Sequence, residues 1–280
     1  MRKLIKPKED AIDIFSLCIS KVQKQELKDK LEACELSIID AVEVYDRKAS
    51  LTELHTIERH DVVNSNVTQK EMEKVYTDRM VGQSSPGRVI YNRLLSSAPN
   101  NICPLCAQRV VNTLEHHLPK AHFPVYSVVP INIFPCCSAC NKSKLSFFPD
   151  NQNEEPIHPY YDDFDNDLWL KAEVIESDIP SVKYYTQKPE GWTDVKYDRI
   201  NNHFELMGLD SLYASHSGVE LAEIKHNMIF LFNNGGSDLV KNFLENIYLS
   251  NKKFNLNSWR TALYHALSNS NWYINGGFKI

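Results

Sequence analysis

Two Cys-x-x-Cys knuckles, Cys103-Pro104-Leu105-Cys106 and Cys137-Ser138-Ala139-Cys140, constrain this chain more than any other feature. Each supplies a pair of soft thiolates, and two such pairs can share one tetrahedral zinc ion. Between them lies Leu114-Glu115-His116-His117-Leu118-Pro119-Lys120, and the second knuckle runs straight into Asn141-Lys142-Ser143-Lys144. The expectation is a small zinc-stapled module that holds an imidazole, a carboxylate and carboxamides together, a set of groups suited to hydrolysis. The alternative for the four cysteines is ordinary buried thiols. Cys136 competes with Cys137 for the ligand position, and the knuckle spacing favours Cys137. Cys18 and Cys34 fall in helical patterns, where a free cysteine behaves as a small apolar filler.

Seven cysteines, four of them in knuckle spacing, without a positively charged leader ahead of an apolar stretch, argue against a secreted disulfide framework. The expected compartment is the reducing cytoplasm. The longest apolar runs, Val128 to Phe134 and Met228 to Phe232, are far too short to span a bilayer, so a soluble protein with no membrane association is expected. A length of 280 residues suffices for a small catalytic module with helical surroundings. The net charge of -5 argues against gripping nucleic acid over the whole surface. Its distribution changes that picture. From Val81 to Phe148 there are six Lys and Arg against Glu115 alone, while the remainder carries 25 basic and 35 acidic residues. The motif segment is a basic stretch in an acidic chain, although four zinc-bound thiolates would offset much of that excess.

Residues 1–82 read as an N-terminal helical arm. Within 8–60, Leu27, Leu31, Cys34, Ile38, Ala41 and Tyr45 recur at three- and four-residue steps and predict a buried stripe. Thr68-Gln69-Lys70-Glu71 has the form of a capping box opening a helix through Met80, and Gln83 to Gly87 reads as a loop. Residues 83–165 form the zinc module, closed by the polar, proline-bounded connection Pro149 to Pro156. In the remaining region, 166–280, Trp169 to Ile175 alternates as a strand. Residues 198–269 carry the apolar periodicity of several helices, with Val219, Ala222, Leu231 and Phe232 among them, a scaffold or partner-binding domain. The expected class is α+β, mostly helical.

The combination of Cys103-Pro104-Leu105-Cys106, Glu115-His116-His117-Leu118-Pro119, Asn132 and Cys137 through Lys144 resembles the zinc-containing branch of the HNH endonucleases. The similarity spans residues 88–165, from the lead-in Tyr91-Asn92-Arg93-Leu94 to the trailing His158-Pro159-Tyr160-Tyr161. It implies a ββα-metal hairpin and helix between the helical flanks. It also implies roles: Glu115 as acidic metal ligand, His116 as general base, Asn132 as the residue holding the base's loop, and Asn141 as second metal ligand. Zinc would be structural and Mg or Mn catalytic, because thiolates are soft donors and the oxygens of Glu115 and Asn141 are hard ones. Lys120, Lys142 and Lys144 are the candidates for phosphate contact.

One departure is Glu115, at a position where the family more often has aspartate; glutamate reaches one methylene further. His116 and His117 would point to opposite faces of a strand, and the spacing to Pro119 favours His116. His117, His122 and His158 read as structural or substrate-adjacent. Asn132 could equally be a turn residue bonded to its own backbone. Tyr126, Phe134, Phe147, Phe148, Tyr160 and Tyr161 are expected mainly as core, with base stacking as the alternative.

The activity expected is metal-dependent hydrolysis of DNA by activated water, with no covalent enzyme intermediate. The alternatives are a zinc-stabilised nucleic-acid-binding or protein-docking module without catalysis, and an RNA-cleaving HNH enzyme. The layout is similar to that of HNH effectors in bacterial anti-phage systems, including the Septu type, in which the nuclease works beside an ATPase. By that likeness the helical flanks would dock an ATPase partner.

Overall fold

A computed structural model describes residues 2–279. They form a mostly helical α+β protein with three small antiparallel sheets of two strands each. Among the described residues no helix is long and apolar enough to cross a membrane. The chain divides into two compact units, Arg2–Asp162 and a second from Asp163 onward.

The first unit opens with α1 (Ala11–Ile19), α2 (Gln25–Glu32) and α3 (Glu35–Leu51). Asp10 starts α1 by accepting from the amides of Ile12 and Asp13, two donors that the first turn leaves without partners. Of the predicted stripe, Leu31, Cys34, Ile38 and Tyr45 are buried, on two helices rather than one. A two-residue hairpin of β1 (Val62–Val63) and β2 (Val67–Thr68) leads into α4 (Gln69–Thr77). The Thr68 and Glu71 side chains each bond the other's backbone amide, forming the capping box, and the helix ends three residues short of Met80. After the loop at 83–87 comes α5 (Arg88–Leu95).

The motif region follows. β3 (Thr113–His116) pairs antiparallel with β4 (Ile133–Cys136), placing Glu115 opposite Phe134 and His116 opposite Ile133, and α6 (Ser138–Lys144) follows at once. The helices of 1–82 and the loop between β3 and β4 share one apolar core. Phe15, Ile38 and Met72 belong to it, as do Phe123, Val129 and Ile131. At the amino end, Arg2 donates its backbone amide to the Pro104 carbonyl at 3.1 Å, and Leu4 to that of Pro159 at 2.8 Å.

In the second unit β5 (Leu170–Ile175) and β6 (Ser181–Thr186) make a hairpin packed against helices. The helices are α7 (Asp194–Leu206), α8 (Leu209–Phe254), α9 (Trp259–Asn269) and the single turn α10 (Asn271–Ile274). β6 alternates strictly between exposed and buried residues, and its Tyr184 donates to the Trp259 carbonyl at 3.0 Å. The long helix α8 is interrupted at Gly236, whose φ of +65° suits a residue without Cβ.

Candidate active site and metal centre

The sulfurs of Cys103, Cys106, Cys137 and Cys140 all lie within 4.8 Å of one another, and all four residues are buried. Cys106 Sγ and Cys137 Sγ are 4.0 Å apart, and none of the four is in a disulfide. Sulfurs held at roughly 2.3 Å around a tetrahedral zinc are separated by roughly 3.8 Å, so the cluster fits that ion. The knuckle turns supply N–H···S bonds: Arg109 N donates to Cys106 Sγ and Cys140 N to Cys137 Sγ, each at 3.4 Å. The four thiols share their protons: hydrogen bonds within the cluster lower Cys106 and Cys137 and raise Cys103 and Cys140, and the Arg109 amide also favours the Cys106 thiolate. Cys136 is not in the cluster; burial pushes its thiol up, as expected of an inert core cysteine.

Beside this centre is a cleft of about 600 Å³ whose lining includes Glu115, His116, Lys120 and Asn141, with Tyr76 and Leu145. His117 does not line it; its ring stacks on His158 with centroids 4.2 Å apart. His116 Nε2 lies 2.8 Å from the Ser127 carbonyl oxygen. A carbonyl only accepts, so Nε2 carries the hydrogen and the neutral ring keeps its lone pair on Nδ1. Burial lowers the His116 pKa to about 3, against an opposing effect of the Ser127 bond, and Lys120 and Lys144 lower it further. At neutral pH the ring is uncharged, the form able to take up a proton. The Tyr76 ring meets it edge-on at 4.4 Å.

Asn141, in the second turn of α6, donates its Nδ2 to Glu115 Oε2 and to the Leu114 carbonyl. Both partners accept, so Asn141 presents its nitrogen here; its oxygen would join Glu115 as a second hard donor only if a bound Mg or Mn turned the carboxamide over and the Leu114 carbonyl gave up its bond. Lys144 was expected at a phosphate, but it is buried. Its Nζ donates to Glu115 Oε1 at 3.0 Å and to the His116 carbonyl at 2.8 Å. Three residues after Asn141, it lies on the same face of α6 and turns inward. Burial raises the Glu115 pKa, with Lys144 acting in the opposite direction. Lys142 is exposed, and Lys120 is half-buried at the cleft with its Nζ 5.7 Å from the Tyr76 ring centroid.

Asn132 is fully buried and uses both ends of its side chain. Oδ1 accepts from Leu118 N at 2.7 Å, and Nδ2 donates to the carbonyls of Leu118 at 3.1 Å and Tyr126 at 3.2 Å. It therefore ties the two sides of the loop that follows His116, rather than serving only a turn of its own. Tyr45 and His158 complete this network, and neither was singled out for it in the sequence. Tyr45 reads as a core position of a helical stripe, and His158 lies beyond the second knuckle. No local spacing joins them to Asn132.

No family model matches this chain, and no solved structure matches it. It is similar to protein ea31 of Escherichia phage lambda, 27% identical over 238 residues, which are 79% of this chain and 79% of the phage protein.

Proposed function

We propose that the chain is a metal-dependent endonuclease of the HNH kind, hydrolysing DNA phosphodiester bonds, with zinc in the four-cysteine centre and Mg or Mn at Glu115 and Asn141. The observation that carries the reading is the convergence of Glu115, His116, Asn141 and Lys120 on one cleft, with the His116 lone pair left on Nδ1. His116 Nδ1 takes a proton from water, the water oxygen attacks phosphorus, and the bond to the departing ester oxygen breaks. The departing oxygen takes its proton from solvent. A divalent cation bound there supplies charge stabilisation on the phosphate and the departing oxygen. Ser127 holds the ring in the tautomer that can act, Lys144 orients Glu115, and Lys120 and the exposed Lys142 supply positive charge for the backbone.

A non-catalytic, zinc-stabilised binding module is the second reading. It is favoured by Lys144 and Asn141 already occupying both carboxylate oxygens of Glu115. Cleavage of plasmid DNA in Mg or Mn, by wild type and by His116→Ala, separates the two. The nuclease reading expects nicking by wild type and none by the variant, at equal zinc content. Retained cutting by His116→Ala would remove His116 from its role. Single-stranded DNA and structured RNA assayed alongside identify the substrate.

The wider assignment, an anti-phage effector with an ATPase partner, rests on the helical flanks on either side of the motif region. Co-expression with a candidate ATPase followed by size exclusion tests it, and full, unregulated activity of the isolated chain would count against it.

A further inference from the structure

We infer that Tyr45 and His158 are positioning residues for the base, linked to His116 by a directed chain of hydrogen bonds and backbone through Asn132. The catalytic side of this inference rests on the nuclease reading above.

Each donor and acceptor in the chain is determined by its neighbour. The Tyr160 amide can only donate, and it lies 3.2 Å from His158 Nδ1, so Nδ1 accepts and Nε2 carries the hydrogen. His158 Nε2 is 2.9 Å from Tyr45 Oη and therefore donates to it. The single hydroxyl hydrogen of Tyr45 is then directed to Asn132 Oδ1 at 3.1 Å. Asn132 cannot be reversed end for end, because Leu118 N requires an acceptor and the Leu118 and Tyr126 carbonyls require donors. Tyr126 precedes Ser127, whose carbonyl sets the His116 tautomer. The Tyr45 ring also meets the Tyr126 ring edge-on at 5.2 Å, so one side chain supports this segment by a hydrogen bond and by packing.

Tyr45 sits on α3, in the arm, and His158 lies past the second knuckle. Both Tyr45 and Asn132 are fully buried, and His158 is 2% exposed. At such burial a fully satisfied network specifies one arrangement, and an incomplete one does not. Loss of the Tyr45 hydroxyl leaves the His158 Nε2–H without its acceptor and Asn132 Oδ1 with one donor instead of two. The loop carrying Ser127 then has more than one packing, and the ring of His116 more than one tautomer.

The test uses the full chain, as wild type, Tyr45→Phe, His158→Leu and the double variant. Single-turnover cleavage of plasmid is expected to slow by about 10-fold in Tyr45→Phe, with DNA affinity and zinc content unchanged and the chain still folded at the assay temperature, as for a reacting group displaced by a fraction of an ångström. The double variant is expected to be no slower than the worse single one, because both act through one chain. Histidine 15N NMR provides a second readout: His116 as a single Nε2–H tautomer in wild type and a mixture in Tyr45→Phe. Wild-type cleavage rates in Tyr45→Phe, additive losses, or a His116 protonated on Nδ1 in wild type would each overturn the inference. A wild type that cuts nothing would overturn the nuclease reading alone, and the tautomer measurement would still decide this one.

Discussion

Replacing Asn132 with alanine should be among the most damaging single changes to the first unit. Four buried partners lose their bond at once: the Leu118 amide, the Leu118 and Tyr126 carbonyls, and the Tyr45 hydroxyl. Each orphaned group costs about 1–3 kcal/mol, and one water admitted to the vacated space can restore two or three of the bonds. A net loss of about 3–5 kcal/mol follows, a large share of the 5–15 kcal/mol that typically holds a domain together. Asn132→Asp is the sharper test. It keeps the shape and the Oδ1 acceptor, but turns an oxygen toward two carbonyls that need donors. Its loss should match or exceed that of alanine at pH 7 and shrink on mild acidification, as a protonated carboxyl restores one donor. All four tryptophans, Trp169, Trp192, Trp259 and Trp272, lie in the second unit, so their fluorescence does not report on this loop directly. Hydrogen exchange resolved to residues 113–140, through a urea series, reads it instead. A change below about 1 kcal/mol for Asn132→Ala, well under the cost of the orphaned groups, would show that the network does not hold the loop.

Two further outcomes are expected. Wild type should carry one zinc per chain, lost in Cys137→Ala and kept in Cys136→Ala; elemental analysis of the purified variants decides it, and the reverse pattern would reject the four-sulfur centre. The pH dependence of stability should contain a contribution from His116, whose pKa falls from an ordinary 6.5 to about 3 on folding. Below 6.5 the unfolded chain binds the proton that the native chain refuses, so this stability is complete above that pH and is lost on acidification. Between pH 7 and 5.5 wild type should lose about 1 kcal/mol more than His116→Gln, other titrating groups being common to both, and equal slopes in urea titrations would refute the shift.

The four-cysteine cluster was legible because its members come in two short, local pairs, and spacing along the chain determines spacing in the turn. The capping box and the strand after Trp169 were legible for the same reason, being patterns of adjacent residues. Cys136 against Cys137 needed coordinates to decide it, since neighbouring residues differ only in which way they face. Lys144 closes α6, and the direction it takes depends on where β3 lies against that helix, which no short run of residues specifies. The spacing from Asn141 to Lys144 placed both on one face and was the available clue. The alternation of Val182, Tyr184 and Thr186 in β6 was equally available. Tyr45 had no such clue: its partners lie 87 and 113 residues away, and a tyrosine in an apolar stripe looks the same whether or not its hydroxyl is engaged.

Because Tyr45 reaches Asn132 from α3, and Arg2 and Leu4 bond backbone within the first knuckle and near His158, the smallest portable unit that keeps this cleft intact is not the motif region alone. A fragment trimmed to residues 88–165 would keep every residue that the family likeness highlights. It would nonetheless lose the helix that carries Tyr45 and uncover the apolar surface that Phe123, Val129 and Ile131 share with Phe15 and Ile38. Grafts and minimal designs drawn from this chain should include the whole of Arg2–Asp162.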